Sequence, residues 1–516
     1  MAGKGKRFGD FLSAKPLIQV DGKPMMEHIV NYFPRKSEFI FLCNQDHLNK
    51  TNISKVLKRI SPSSKIISVG EDMLHGPAYT CLAAFDDISD DEDIIVNYCD
   101  FIQEWDYNKF CEILKEKNPA GAIVSFKGFH PSSLGDTLYA YMKVNDEGFV
   151  KDIKEKESFS KNKMDDYGST GTYYFSNGKL FKEYVKKLID NPANAINGEF
   201  YMSLPFKLMI QDSLKILNFE VKKFICLGTP RDYSLYKFWS EFFLQYAPNF
   251  ITFDNVNLNV TNIFPLAGGE KDFKDIGYDV PNFMIPIMNK TLIDYSFRSN
   301  PRGIKNVFIG LNKEKEYFDN LPICKDYSSE VVYIDDIKRG NASTIYELKD
   351  KIDPESPVCI CGSTYILNYN EKKMMNLMEK EDIDIILFSF THHECVLRNP
   401  DGFAYAKLKN NIEVEQIIEK RTLSNNPYLD HALTGTTIFK KAKYLFDSIE
   451  EEIKNNKTGK IYYLSCINNI IKKRKVAIFE VDRFVPIRNI INYKEMMYWQ
   501  DYFDKLSYHP YSKMLQ

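Results

Sequence analysis

NVTNIFPLAGG, residues 259–269, places a run of apolar residues directly before a pair of glycines. Such a run predicts a β-strand that enters a tight glycine turn, where backbone N–H groups can approach a phosphate. The second part of this pattern also stands at the start of the chain, because LAGGEKDF (266–273) aligns with MAGKGKRF (1–8). The stretch therefore predicts a strand and glycine turn that belong to a repeated fold.

The correspondence continues along the chain in a nearly constant register. HGPAYT (75–80) matches RGNAST (339–344), and STGTYYF (169–175) matches LTGTTIF (433–439), both with an offset of 264 residues. Chance similarity does not hold register over such a distance, so the chain is a tandem repeat of one fold.

The repeat predicts two domains, residues 1–245 and 256–516, with QYAPNFITFDN (245–255) as the linker. Met1 aligns with Leu266, which follows the predicted strand of the second copy. We therefore expect the first domain to lack its first strand, and a chain extended by that strand to be more stable.

Short apolar runs alternate with amphipathic stretches through the first copy. The predicted strands are 39–44, 65–70, 93–99 and 122–126. The predicted helices are 51–60, 77–87 and 107–116. This alternation predicts an α/β fold, with a mostly parallel mixed sheet and helices on both faces in each copy. Such sheets bind ligands at the carboxyl ends of their strands. Loop 2–8, Gly76 to Ala78 and Asp100 fall at these ends.

Composition excludes several classes of protein. The 68 basic and 70 acidic residues give a net charge of −2, which argues against a nucleic-acid partner. No apolar run has the length of a membrane span, and no apolar signal segment stands at the start. The ten cysteines show no metal-ligand spacing and are expected to be free thiols. We expect a cytoplasmic protein without a membrane partner.

Gly3, Gly5 and Arg7 form the first group with a chemical meaning. After a strand, the glycines would let the backbone approach phosphates, and Arg7 would form a bidentate contact with them. A glycine turn between a strand and a helix needs no ligand, so this group alone decides nothing. Lys15, held next to Pro16, can reach a phosphate as a point charge, although it could equally be a surface lysine.

Asp100 ends a strand predicted to be buried, where a carboxylate is costly unless it meets a cation, a donor or solvent. A Mg²⁺ ion that bridges phosphate oxygens would suit it, and a strand-end cap is the alternative. The pairs Glu155-Lys156 and Gly171-Thr172 could contact a polar substrate. Alternatively, the first is an ordinary surface pair and the second an ordinary turn. Among the histidines, only His75 is expected near the pocket.

Seven segments in a fixed order carry a family resemblance: MAGKGKRF, KPLIQVDGKP, HGPAYT, CDF, EKE, GTYYF and LGTPRDY. Over about residues 1–240 they resemble the sugar-phosphate nucleotidyltransferases (pyrophosphorylases), which have a GT-A-like Rossmann fold. The resemblance implies nucleotide binding by Ala2, Gly3, Gly5, Arg7, Gly76 and Ala78, and catalysis by Arg7, Lys15 and Asp100. It implies substrate binding by Glu155, Lys156, Gly171, Thr172 and Glu199. It also implies Mg²⁺ as a cofactor bound by Asp100.

One departure from the family concerns the metal. Many members carry an aspartate two residues before the glycine of Gly-Thr-Pro, and here that position is Cys226. Asp232 is the candidate substitute, so the second metal contact stays open. The sequence also leaves open the nucleotide base, the oligomeric state and the acceptor, which could be a phosphocholine-like or amino-acid-derived phosphate.

The second copy differs from the first at most of these positions. Glu270, Asp272, Asn282, Thr364, Lys460 and Asn492 replace Gly5, Arg7, Lys15, Asp100, Glu199 and Asp232. Like charges at 4 Å cost roughly 4 kcal/mol at an effective dielectric near 20, so the new carboxylates should exclude a triphosphate. No cation is expected to replace those that are lost.

These changes predict a degenerate second copy, a pseudo-enzyme domain that stabilises or regulates the first. The alternative is that it catalyses a reaction of a non-nucleotide ligand. Glu419-Lys420 and Gly435-Thr436 are retained, which leaves room for a sugar phosphate.

The resemblance predicts transfer of a nucleotidyl group from a nucleoside triphosphate to a sugar phosphate or related phosphate ester, with release of pyrophosphate. Its product would serve nucleotide-sugar, surface glycan or capsule polysaccharide synthesis. One alternative is a GT-A glycosyltransferase, although those usually show D-x-D where this chain has Cys99-Asp100-Phe101. The other is a non-catalytic protein that binds a nucleotide or a sugar phosphate.

Overall fold

The structure is a computed structural model that describes Met1 and residues 14–135, 137–246, 258–267, 273–325, 328–336, 339–456 and 458–513. Its contacts divide the chain into two units. The first unit comprises Met1–Phe250 and Tyr498–Gln516, and the second comprises Ile251–Met497.

The first unit alternates strands with helices, as the sequence predicts. Its strands are β1 Gln19–Val20, β2 Lys23–Pro24, β3 Ile40–Asn44, β4 Lys65–Val69, β5 Ile94–Asn97, β6 Phe101–Glu104, β7 Gly121–Phe126, β8 Ala140–Val144, β9 Val150–Glu155, β10 Tyr167–Phe175, β11 Ile216–Glu220 and β12 Lys223–Cys226. Its helices are α1 Met25–Val30, α2 Gln45–Lys50, α3 Ile53–Ile60, α4 Pro77–Thr80, α5 Tyr107–Lys117, α6 Gly178–Ile189, α7 Leu204–Gln211 and α8 Pro230–Leu244.

The main sheet of the first unit has the strand order β11-β7-β10-β8-β9, and β5 also pairs with β10. The β7–β11 pair is parallel, whereas β10 runs antiparallel to β5, β7 and β8. Strands β3 and β4 form a separate parallel pair, and β6 pairs with β12.

The second unit repeats this order of elements. Its strands are β13 Leu258–Pro265, β14 Pro286–Ile287, β15 Lys290–Thr291, β16 Gly303–Leu311, β17 Ser329–Ile334, β18 Val358–Ile360, β19 Tyr365–Asn368, β20 Ile385–Phe390, β21 Ala404–Leu408, β22 Val414–Glu419, β23 Ala432–Phe439, β24 Val476–Glu480 and β25 Arg483–Pro486. Its helices are α9 Leu292–Ser299, α10 Lys315–Asp319, α11 Asn341–Tyr346, α12 Glu371–Met378, α13 Glu394–Arg398, α14 Ala442–Asn455 and α15 Tyr463–Cys466. A last helix, α16 Ile490–Lys505, begins in the second unit and continues into residues of the first.

The main sheet of the second unit has the order β17-β16-β13-β18-β23-β20-β24, with parallel pairs on both sides of β13. Two tandem α/β units with mostly parallel mixed sheets are thus confirmed. In the described part of the chain, no helix combines the length and the apolar character needed to cross a membrane.

The two sheets differ at the position of β13. In the second unit β13 lies between β16 and β18, which correspond to β3 and β5 of the first unit. No strand lies between β3 and β5 in the part of the first unit that the structure describes. The residues of β18 are fully buried, whereas those of β5 are only half-buried. The strand predicted over 93–99 is confirmed by β5, but the prediction that it is buried is wrong, because among the described strands β5 pairs only with β10.

Residues 498–511 contribute an aromatic surface to the first unit, although the sequence places them in the second domain. The ring of Trp499 lies 5.8 Å from that of Tyr236, and the ring of Tyr511 lies 4.7 Å from that of Phe243. Tyr236 and Phe243 are buried residues of α8. The segment therefore completes the hydrophobic core around α8.

Candidate active site

A cavity of about 940 Å³ lies in the first unit and contains several of the predicted site residues. Lys15, Gly76, Asp100, Glu199 and Gly228 line its polar part. Its apolar part extends between residues 40–42 of β3 and 94–96 of β5. This is the position that β13 fills in the second unit. One cavity thus joins the candidate site to the space between the described strands β3 and β5.

Joining LNVTNIFP, the sequence of β13, ahead of Met1 is expected to raise the melting temperature of the first unit by about 5 °C or more. Leu258, Val260, Ile263 and Phe264 of this strand are buried in the second unit. Burial of one such side chain contributes about 1.5–3 kcal/mol, and 1 kcal/mol shifts the melting temperature by about 2–4 °C in a unit of this size. Thermal unfolding and hydrogen exchange of β3 and β5 would measure the effect.

The control extension carries serine at those four positions, so it adds the same length of chain without apolar side chains. Equal melting temperature and equal exchange for the two extended chains would show that the cavity does not accept a strand.

Lys15 and Asp100 form an ion pair at the polar part of the cavity. Lys15 Nζ lies 2.7 Å from Asp100 Oδ2 and donates to the Gly228 carbonyl at 2.6 Å. Burial acts to lower the pKa of Lys15, but the neighbouring groups, chiefly Asp100, outweigh it and raise the pKa above its ordinary value. Lys15 is therefore charged near neutral pH and lies within reach of anions that enter the cavity.

Asp232 is the second carboxylate of this region. It accepts hydrogen bonds from the Thr229 hydroxyl at 2.7 Å and the Thr229 N–H at 3.1 Å, which forms a capping box at the start of α8. A methyl group on Gly228 would lie 3.6 Å from Asp100 Oδ2 and 3.9 Å from Asp232 Oδ2. The two carboxylates therefore face one small space beside Gly228.

This pair of carboxylates fits a magnesium ion shared with a substrate. Proteins commonly hold Mg²⁺ by one or two carboxylates, and phosphates and water complete its coordination. Among the residues that the structure describes, no cluster of three or more candidate metal ligands occurs.

Gly76 brings the loop at the start of α4 against residue 200. Its φ is +110°, and an added Cβ would lie 2.5 Å from the Phe200 nitrogen, so only glycine fits. The Phe200 N–H donates to the His75 carbonyl at 2.8 Å, and the Ala78 N–H donates to the Phe200 carbonyl at 2.9 Å. Gly76 lines the cavity, while Ala78 is fully buried behind it.

Glu155 ends β9, Lys156 follows it, and both are held by residues that the sequence analysis did not find. Glu155 accepts a hydrogen bond from Ser203, and Lys156 donates to the hydroxyl of Tyr201. Tyr201 in turn donates to Glu199 at 2.5 Å. Burial raises the pKa of Glu155, which Ser203 and Lys156 partly oppose. The sequence does indicate Tyr201, because both copies carry the pattern Gly-x-x-Tyr, at residues 198–201 and 459–462.

Other predicted site residues are placed differently. Gly171 (φ +100°) packs against the ring of Tyr98, and the Thr172 hydroxyl is buried and donates to Asn97 at 2.6 Å. Neither lines the cavity. The prediction that His75 is the histidine at the pocket is wrong, because His47 lines the cavity instead. Ala2, Gly3, Gly5 and Arg7 lie outside the described residues.

The second unit keeps part of this arrangement. Lys420 Nζ donates to the Tyr462 hydroxyl at 2.8 Å, and Glu419 accepts from Ser465 at 3.2 Å. Glu270 and Asp272 lie outside the described residues. Arg488 stands at the position of Gly228 and provides a cation that the first unit does not have there.

Two family models match the chain. A MobA-like NTP transferase domain matches residues 1–146, and a nucleotidyl transferase domain matches residues 266–512. No curated protein sequence matches the chain.

Solved structures similar to part of the chain include a nucleoside-diphosphate-sugar pyrophosphorylase from Vibrio cholerae, at 17% identity and a TM-score of 0.37 over 46% of this chain and 99% of that one. Another is an inositol-1-phosphate CTP transferase from T. maritima, at 13% identity and a TM-score of 0.38 over 48% and 98%. A third is a UDP-glucose pyrophosphorylase complexed with UDP-glucose, at 17% identity and a TM-score of 0.39 over 48% and 100%.

Each of these solved structures resembles only about half of the chain, at low identity and a low TM-score. The family models, in contrast, each match one of the two tandem repeats and name one kind of domain. The chain therefore belongs to the nucleotidyltransferases, with one nucleotidyltransferase domain in each half.

Proposed function

We propose that the first unit transfers a nucleotidyl group from a nucleoside triphosphate to a sugar phosphate, or to a related phosphate ester, and releases pyrophosphate. The observation that carries this proposal is the group formed by Lys15, Asp100 and the Gly228 carbonyl in the 940 Å³ cavity. It supplies a charged donor and a carboxylate beside the end of β5, where an α/β sheet presents its ligand site.

The reaction needs no nucleophilic side chain from the protein. An oxygen of the acceptor phosphate attacks the α-phosphorus, a new P–O bond forms, and the bond from this phosphorus to the bridging oxygen breaks. Pyrophosphate leaves with that oxygen. Negative charge accumulates on the leaving group and on the α-phosphate, so catalysis depends on position and on positive charge.

Lys15 would provide part of that charge. Its Nζ is bound to Asp100 and Gly228, so an incoming phosphate oxygen would exchange with the carboxylate as its partner. Asp100 would then be available for Mg²⁺, with Asp232 on the other side of Gly228. A magnesium ion held there would neutralise phosphate charge and fix the orientation of the α-phosphate.

The acceptor would lie toward Glu155, Lys156 and Glu199. Lys156 is a cation for its phosphate, and the carboxylates accept hydrogen bonds from hydroxyl groups. Gly76 and the adjoining backbone would lie against the nucleoside, as the resemblance implies. A cytoplasmic role in nucleotide-sugar or surface polysaccharide synthesis remains part of this proposal.

A pyrophosphate-release assay of the full chain tests the function. The four common nucleoside triphosphates, each with Mg²⁺, would be combined with a panel of hexose 1-phosphates, phosphocholine and phosphoserine. We expect release only with one matched pair, and mass spectrometry should show the nucleotidyl product. Transfer of a sugar from a nucleotide-sugar to an acceptor, without pyrophosphate, would instead establish a glycosyltransferase. Binding of triphosphate without any product would establish a non-catalytic protein.

A further inference from the structure

The second unit has its own polar site, and backbone contacts establish which residues correspond to those of the first. The Leu227 N–H donates to the Asp100 carbonyl at 2.8 Å, and the Ile487 N–H donates to the Thr364 carbonyl at 2.8 Å. The β6–β12 and β19–β25 pairs also share one register, with Cys226 opposite Phe101 and Pro486 opposite Tyr365. Thr364 therefore stands in place of Asp100, and Arg488 in place of Gly228.

Arg488 places a guanidinium group beside Gly402 and Phe403. Its Nη1 donates to the Gly402 carbonyl at 2.9 Å, and its Cζ lies 4.8 Å from the centre of the Phe403 ring. The residue is exposed to solvent. No described residue binds its Nη2 or Nε.

Lys420 is a second cation of the same site and repeats the geometry of Lys156. The two lysines have φ values of +53° and +58°, and their ammonium groups lie 4.6 and 4.3 Å from the ring centres of Tyr462 and Tyr201. Burial raises the pKa of Glu419, and both Lys420 and Arg488 act to lower it again. The two cations therefore act on one carboxylate.

The balance of charge is reversed relative to the first unit. Asp100 becomes Thr364, which removes a carboxylate, and the exposed Lys460 replaces Glu199. The positions that correspond to the site of the first unit thus carry three basic residues, Arg488, Lys420 and Lys460, and one acidic residue, Glu419. A site without an equivalent of Asp100 is poorly suited to Mg²⁺ but well suited to a small anion.

We propose that the second unit binds a phosphomonoester of the sugar-phosphate class without a divalent cation, through Arg488, Lys420 and Lys460. Arginine provides paired N–H donors that match a phosphate, and the lysines provide additional positive charge. Glu419 uses Oε2 for Ser465, which leaves Oε1 to accept a hydrogen bond from a sugar hydroxyl. This ligand differs from the triphosphate of the first unit in having one phosphate and needing no metal.

Hydrogen exchange of the full chain, titrated with glucose 1-phosphate in EDTA, tests the proposal because it localises binding to one unit. We expect protection of residues 414–420, 460–466 and 486–490, and none with glucose. Arg488→Gln should require at least tenfold more ligand for half-maximal protection. Arg488→Lys should lose less, since it keeps the charge but not the paired donors.

Lys460→Glu is a second variant, chosen because Lys460 is exposed and has no described contact, so that its loss should not affect folding. It should weaken binding several-fold. Lys472→Glu is the matched control, because Lys472 precedes β24 and lies at the amino end of the parallel β20–β24 pair. It should bind as the wild type does.

Unchanged titrations for Arg488→Gln and Lys460→Glu would overturn the proposal, as would binding that requires Mg²⁺. Equal protection by inorganic phosphate would overturn the sugar-phosphate class. Protection of these segments by a nucleoside triphosphate with Mg²⁺ would show a second nucleotide site instead. These readouts do not depend on turnover in the first unit.

Discussion

Replacement of Asp100 by asparagine is expected to reduce pyrophosphate release by about 100-fold or more. The amide keeps the size of the side chain but removes the negative charge that a divalent cation requires. Loss of one preorganised electrostatic contact in an active site commonly costs a factor of about 100–1,000 in rate. Lys15 Nζ, now 2.7 Å from Asp100 Oδ2, also loses its charged partner. Steady-state release of pyrophosphate at saturating Mg²⁺ measures the loss.

Asp106→Asn is the matched control for this variant. Asp106 caps α5 by accepting from the Lys109 N–H at 3.0 Å, and it does not line the cavity. Asparagine caps helices as well as aspartate does, so this variant should keep near-normal turnover. Turnover of Asp100→Asn within threefold of the wild type would refute the metal role of Asp100.

Replacement of Trp499 by alanine is expected to lower the free energy of unfolding of the first unit by about 3–5 kcal/mol, the usual cost of removing a buried aromatic ring. Trp499 is 3% exposed, and its ring lies 5.8 Å from Tyr236 and 5.9 Å from Phe503. The other two tryptophans, Trp105 and Trp239, also belong to the first unit. Tryptophan fluorescence during urea unfolding therefore reports on this unit alone.

Tyr508→Ala provides the comparison, since Tyr508 lies in the same segment but is 42% exposed. It should cost less than about 1 kcal/mol. If the two variants unfold at the same urea concentration, the segment that contains Trp499 does not stabilise the first unit.

The fold could be predicted from local patterns and from the internal repeat. Apolar runs at 39–44 and 122–126 mark strands because a parallel sheet buries both faces of its strands. The observed strands are Ile40–Asn44 and Gly121–Phe126. Lys15, Gly76 and Asp100 could also be predicted to share one site, because each occupies a position that matches a family motif.

The remaining features depend on contacts between distant residues. No local pattern indicates that Trp499 packs on Tyr236, because both lie on aromatic helices that could cover several surfaces. Arg488 was not predicted from the comparison of the two copies, because its counterpart in the first copy, Gly228, has no side chain. The half-buried state of β5 depends on which strands lie beside it, and among the described strands it pairs only with β10, which its own sequence does not report.

The position of residues 498–511 in the first unit has a consequence for synthesis on the ribosome. Tyr236 and Phe243 leave the ribosome before the whole of Ile251–Met497, whereas their partners Trp499 and Tyr511 leave after it. At about 5–20 residues per second, the delay is roughly ten to fifty seconds. During this time the aromatic surface of α8 is open to chaperones and to α8 of neighbouring nascent chains. The first half of the polypeptide is thus translated first but reaches its native state last.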